Sequence, residues 1–129
     1  MVALITPQQV ILVVDDEALL RLDATEAFHH IGCQTYEAAE TEEALDILER
    51  HPEISVLFTD INMPGPRDGM ALASQVHRQR PDVQLIVTSG RERPAPEDLP
   101  ERGHFIAKPY TMEAVADLVR AFPKRTAVG

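Results

Sequence analysis

The stretch Val10-Ile11-Leu12-Val13-Val14-Asp15-Asp16 decides the fold. Its continuous apolar run, rich in β-branched residues, reads as a strand buried on both faces, as in a parallel sheet covered by helices. Two carboxylates stand directly at its exit, where burial penalises charge. The pattern recurs: Val56-Leu57-Phe58-Thr59 closes on Asp60, and Phe105-Ile106-Ala107 closes on Lys108. In an open parallel sheet the carboxyl ends of the strands share one edge, and ligands bind there at the topological switch point. Three acids and one amine are therefore expected to meet.

Such a cluster is net negative, and a hard divalent cation that accepts carboxylate oxygens and keeps several waters, as Mg2+ does, would satisfy it. Beside Mg2+, Asp60 becomes a carboxylate nucleophile for a phosphoryl group, while Lys108 and the Thr88 hydroxyl take up phosphoryl oxygens. Taken singly, each residue has an ordinary reading. Asp15 and Asp16 could cap a helix or face its macrodipole, Asp60 could be a turn residue, and Lys108 could be a surface lysine. Their joint placement after buried strands selects the site.

The remaining composition narrows the class. A chain of 129 residues suits one domain, and 44% hydrophobic with 26% charged residues is the balance of an ordinary globular protein. No apolar stretch reaches the roughly 20 residues of a membrane span. Met1 to Pro7 lacks the basic and apolar regions of a secretory signal, so a cytoplasmic location is expected. A formal charge of -9 disfavours direct binding of nucleic acid and favours a protein partner. Cys33, the only cysteine, excludes an internal disulfide and reads as a small buried residue at a strand start. His29, His30, His51, His77 and His104 show no ligand spacing and read as surface or helix-flank residues.

Strand-like and helical patterns alternate along the chain, which predicts five β-α units. Leu20, Ala24, Ala27, Phe28 and Ile31 form the first helical stripe, stopped by Gly32. The second strand is Gln34 to Ala38, and Thr41 is expected to cap the next helix, with Glu42 and Glu43 in its first turn. After Asp60 comes the irregular loop Asn62-Met63-Pro64-Gly65-Pro66-Arg67, then a helix capped by Asp68 and buried through Leu72, Ala73 and Val76. The fourth strand is Val83 to Thr88. Pro94, Pro96 and Pro100 make a long helix implausible between Arg91 and Gly103. Thr111 caps a final helix with Met112, Val115, Val119 and Phe122 inward, and Pro123 to Gly129 forms a short tail.

Together, Val14-Asp15-Asp16-Glu17, Phe58-Thr59-Asp60-Ile61-Asn62-Met63-Pro64 with Asp68-Gly69, Val87-Thr88-Ser89-Gly90 and Phe105-Ile106-Ala107-Lys108-Pro109-Tyr110 resemble the receiver domain of two-component response regulators, of the single-domain chemotaxis-regulator type. The resemblance covers about Gln9 to Phe122 and implies a flavodoxin-like doubly wound sheet of order 2-1-3-4-5. By it, the whole of 1–129 is one receiver domain without an output domain. Asp60 would accept a phosphoryl group from a histidine kinase or a histidine phosphotransfer protein. Asp16 would bind Mg2+, with Asp15 directly or through water, Asp60, and the backbone carbonyl of Asn62. Thr88 would be the switch hydroxyl, Phe105 the aromatic that follows it, and Lys108 the partner of the phosphoryl group. The Lys108-Pro109 bond would be cis, and Ser89 would leave room for the donor and for water.

The implied role is a phosphoacceptor switch, not an enzyme in the ordinary sense, that signals in trans to a further protein. A phosphorelay intermediate or phosphate sink is the alternative, and a homodimer stays open. Two features depart from the family pattern. Gly69 lies nine residues after Asp60 where eight is usual, and the proline-rich segment replaces the helix before the fifth strand. A haloacid dehalogenase-like phosphatase would need D-x-D after its first strand, where Glu17 stands instead. A flavodoxin would need a Ser/Thr/Gly-rich phosphate loop in place of these acids.

Overall fold

A computed structural model describes residues 9–123; the readings for Met1 to Pro7 and for the tail beyond Pro123 lie outside them. Five parallel strands, β1 (Val10–Val14), β2 (Gln34–Ala38), β3 (Val56–Asp60), β4 (Gln84–Ser89) and β5 (Gly103–Ala107), form one sheet of order β2-β1-β3-β4-β5. Helices α1 (Ala18–His30), α2 (Thr41–Arg50), α3 (Gly69–Gln79) and α4 (Met112–Ala121) alternate with them. The doubly wound order expected from the sequence is the order found.

Period-two alternation in β1 explains the layering. Val10, Leu12 and Val14 face α2 and α3, where Leu48, Leu72, Ala73 and Val76 complete one buried cluster. Ile11 and Val13 face the opposite side, packed with Phe28 of α1 and with Val115 and Val119 of α4. Every residue of β1 and β3 is buried, as central strands of a two-sided sheet must be. Each such Leu or Ile contributes about 1.5–3 kcal/mol through burial. On that second face, Phe28 of α1 meets Phe58 of β3 edge to face at 5.4 Å between ring centroids.

Caps follow the local chemistry, with one correction. Asp68 accepts from the Ala71 amide and Thr111 from the Ala114 amide, satisfying free donors at the starts of α3 and α4. Thr41 is not a cap: Glu40 holds that position, and the buried Thr41 hydroxyl donates to the Arg67 carbonyl at 3.0 Å. The fixed neighbour across the groove outbids the local bond. Gly32, at φ +88°, ends the turn after α1 in the left-handed region.

Two further expectations change. Leu20 lies on the exposed side of α1, because the buried face is set by Ala24, Thr25 and Phe28. His104 is a β5 residue, half-buried against the Phe122 ring, and burial lowers its pKa. Between β4 and β5 the only regular element is a short 3-10 turn, Pro96–Asp98, in keeping with the three prolines.

Candidate functional site

The site is assembled from strand ends. Asp15 and Asp16 leave β1, Asp60 ends β3, and Lys108 follows β5. One carboxylate oxygen from each of Asp15, Asp16 and Asp60 lies within 4.8 Å of the others. Asp60 is buried, Asp15 half-buried and Asp16 exposed, so the cluster opens to solvent through Asp16. The Lys108 ammonium donates to Asp60 Oδ2 at 3.1 Å. The Asn62 amide donates to Asp60 Oδ1, also at 3.1 Å. Both oxygens of Asp60 are thus held in fixed directions.

Burial is the main cause that pushes the Asp15 carboxyl above its ordinary value; a hydrogen bond from the Glu17 amide partly offsets it, and the charges of Asp60 and Asp16 add to the rise. The Tyr110 phenol is pushed up to about 12, first by burial and then by Asp15, Asp60 and Asp23. The three clustered carboxylates are hard oxygen donors, the donor chemistry that suits Mg2+.

Register brings in β4. Thr88 pairs with Asp60 across β3 and β4, and the Thr88 carbonyl accepts from the Ile61 amide at 2.9 Å. Phe105, half-buried, pairs with Val87, next to Thr88 in the chain. The Ser89 hydroxyl accepts from the Arg91 and Glu92 amides and from Asn62 Nδ2, linking the loops after β3 and β4. Lys108-Pro109 is a cis peptide bond. Asp15, Asp16, Asp60, Asn62, Thr88 and Lys108 therefore lie at this carboxyl edge of the sheet, while Phe105 stands in the middle of β5, packed against the core on the α2 and α3 face.

Close approach governs the loop after β3. The Gly69 amide donates to the Ile61 carbonyl at 2.9 Å, and a Cβ on Gly69 would stand 2.8 Å from the Asp60 carbonyl carbon. Only glycine lets α3 press on the backbone that carries Asp60. Gly65, at φ +99°, turns the loop that contains the additional residue.

Two residues near the acids received no role from the sequence: Arg21, which it did not single out, and Tyr110, quoted only as part of a motif. Arg21, from α1, reaches back to the Asp15 carbonyl at 2.6 Å and pairs with Glu37 of β2 at 3.0 Å. Its only sequence signal was its place on the helix directly after the acidic pair. Tyr110 packs edge to face on Phe58 and, with Leu20, Asp23, Pro109, Met112 and Lys108, lines a cavity of about 580 Å³.

Comparison with known proteins agrees with this geometry. The response regulator receiver domain family matches residues 11–120. The chain is 31% identical to the sensor kinase CckA of Brucella abortus over 85% of its own length and 12% of that protein. It is also 31% identical to the sporulation initiation phosphotransferase F of Bacillus subtilis, over 87% of this chain and 91% of that one. A response regulator receiver domain protein from Clostridium thermocellum shares the fold with a TM-score of 0.80, at 23% identity, covering 87% of this chain and 91% of that one. The strand order, the acidic edge and the family match over most of its length converge on one conclusion: the chain belongs to the response regulator receiver domains, the phosphorylation-dependent signalling modules of two-component systems.

Proposed function

We propose that Asp60 accepts a phosphoryl group from the phosphohistidine of a histidine kinase or histidine phosphotransfer protein, and that the chain then signals in trans to a protein partner. In the transfer, a carboxylate oxygen of Asp60 forms the new O–P bond while the N–P bond of the donor breaks. The imidazole nitrogen keeps the electron pair. The observation that carries the reading is the buried Asp60 carboxylate, flanked by Asp15 and Asp16 and held by Lys108 at 3.1 Å. Asp15, Asp16, Asp60 and the backbone carbonyl of Asn62 would hold Mg2+, which supplies positive charge to phosphoryl oxygens. Lys108, bonded to Asp60 Oδ2 at 3.1 Å, adds positive charge beside the acceptor.

The donor is proposed to dock over the cavity beside Lys108, where Leu20 gives an exposed apolar rim and Tyr110 and Asp23 give polar ones. Phosphorylation would draw the Thr88 hydroxyl toward the new oxygens and free space for Phe105, so that the face around β4 and β5 changes. The described residues are read as one unit working in the cytoplasm. A relay role is the second reading, supported by the likeness, over nearly its full length, to a protein named a phosphotransferase.

Incubation with acetyl phosphate and Mg2+ tests the assignment. Intact mass should rise by one phosphate, and Asp60→Asn should remove the gain. Labelling that persists in Asp60→Asn and maps elsewhere would sink it. Profiling against purified histidine kinases then separates a terminal switch from a relay, since a relay also passes the group on to a second histidine.

A further inference from the structure

We propose that Arg21 is a positioning residue for the acidic turn, holding Asp15 and Asp16 in the geometry that binds Mg2+. The inference rests on the metal reading above and goes beyond it to a residue outside the cluster. The turn between β1 and α1 is short, and Asp16 is exposed at its crest. Whether its carboxylate faces Asp60 or solvent depends on the backbone beneath it. Four bonds hold that backbone: the Asp15 amide donates to Ala38 O at 3.1 Å, the Glu17 amide to Asp15 Oδ1 at 2.9 Å, the Arg21 amide to Glu17 O at 3.0 Å, and Arg21 Nη1 to Asp15 O at 2.6 Å.

Among the described residues, Arg21 is the only side chain from beyond the turn that bonds to it. The bond is charge-assisted, and a guanidinium fork suits it because the Nε side is engaged by Glu37 at 3.0 Å. Arg21 is only 20% exposed, so neither contact is fully screened by water. One side chain thereby ties the acidic turn to both α1 and the end of β2. Lysine could keep the charge but could not span both acceptors in the same planar geometry. Partners that orient a ligating group from outside the metal's own shell commonly change affinity by about 10- to 100-fold when removed. Arg21 acts through the peptide beneath the carboxylates, so the low end, about tenfold, is expected.

Isothermal titration with Mg2+ alone tests this on the wild type, Arg21→Ala, Arg21→Lys and Glu37→Gln. Arg21→Ala should raise the dissociation constant about tenfold, with Arg21→Lys between it and the wild type. Glu37→Gln should raise it less. Acetyl phosphate labelling should shift to higher Mg2+ in Arg21→Ala while its rate at saturating Mg2+ stays near wild type, a split that general destabilisation would not produce. Wild-type dissociation constants in all three variants would overturn the proposal and leave the metal site standing. If Arg21→Ala fails to fold, an unchanged constant in both Arg21→Lys and Glu37→Gln overturns it. A wild type that binds no Mg2+ would overturn the metal reading and this inference with it.

Discussion

Lys108 Nζ stands 3.1 Å from Asp60 Oδ2, and this ion pair joins the ends of β3 and β5 across the intervening β4. Asp60 is almost enclosed and Lys108 is about three-quarters covered, so the pair is stronger than a surface salt bridge and weaker than a sealed one. Without metal, Lys108 is the cation in contact with Asp60. Lys108→Ala should therefore lower stability by about 1–3 kcal/mol in metal-free buffer. The loss should shrink in an Asp60→Asn background, because the carboxylate left unpaired is then gone. Denaturant melts of the wild type, both single variants and the double variant measure the coupling. Strict additivity would mean that the contact carries no net energy.

Gly69 and Gly65 lie in the same loop region and should fail differently. Gly69→Ala forces a methyl onto the Asp60 backbone, an overpacking expected to cost about 1–3 kcal/mol. Because the shift displaces Asp60 itself, labelling by acetyl phosphate should also slow by roughly 10- to 100-fold. Gly65→Ala meets no atom and suffers only its positive φ, about 1–2 kcal/mol. Its labelling rate should stay close to wild type. Equal rates for the two variants would remove the claim that α3 positions the acceptor.

Tyr110 offers a pH test. A phenol whose folded pKa is raised to about 12 binds its proton more tightly in the native state than in the unfolded one. Its contribution to stability is thus complete below the ordinary value near 10 and is lost as pH rises from there to about 12. Ultraviolet titration of phenolate should show a late component that Tyr110→Phe removes. Asp15→Asn deletes one of the charges that holds the proton and should move that component down. A wild-type titration whose latest component has its midpoint near the ordinary value of 10 would contradict the burial assigned to the ring.

The segment from Arg91 to Pro100 contains no buried residue and a single 3-10 turn, tied to the site through Ser89. Hydrogen exchange should be faster here than in any other part of residues 9–123 away from the ends. Binding of beryllofluoride as a phosphoryl mimic should alter it, since Thr88 and Ser89 precede it and Phe105 follows it. Identical exchange over residues 90–106, with the mimic shown to be bound, would disconnect this segment from the switch.

The sheet was legible because β1 and β3 are buried on both faces and cannot hide their apolar runs among polar residues. The α1 face was less legible. Leu19, Leu20 and Leu22 put leucines on its exposed side, so hydrophobic spacing alone misdirects the reading toward Leu20. Thr41 likewise offered a correct capping residue type whose hydroxyl found a tertiary partner instead.

By itself the sequence determined which groups reach the carboxyl edge, since Asp15, Asp16, Asp60, Thr88 and Lys108 each stand at the end of a strand-like run and such ends share one edge of a parallel sheet. Such placement follows from periodicity, which is local. Tertiary structure alone decided how those groups are held: the Arg21 contact to the Asp15 carbonyl, the pressure of Gly69 on Asp60, and the Ser89 hydroxyl shared by two loops. These depend on distances between elements far apart in the chain, and hydrogen bonds and steric contacts change within a few tenths of an ångström. No local pattern of residue types encodes separations that fine.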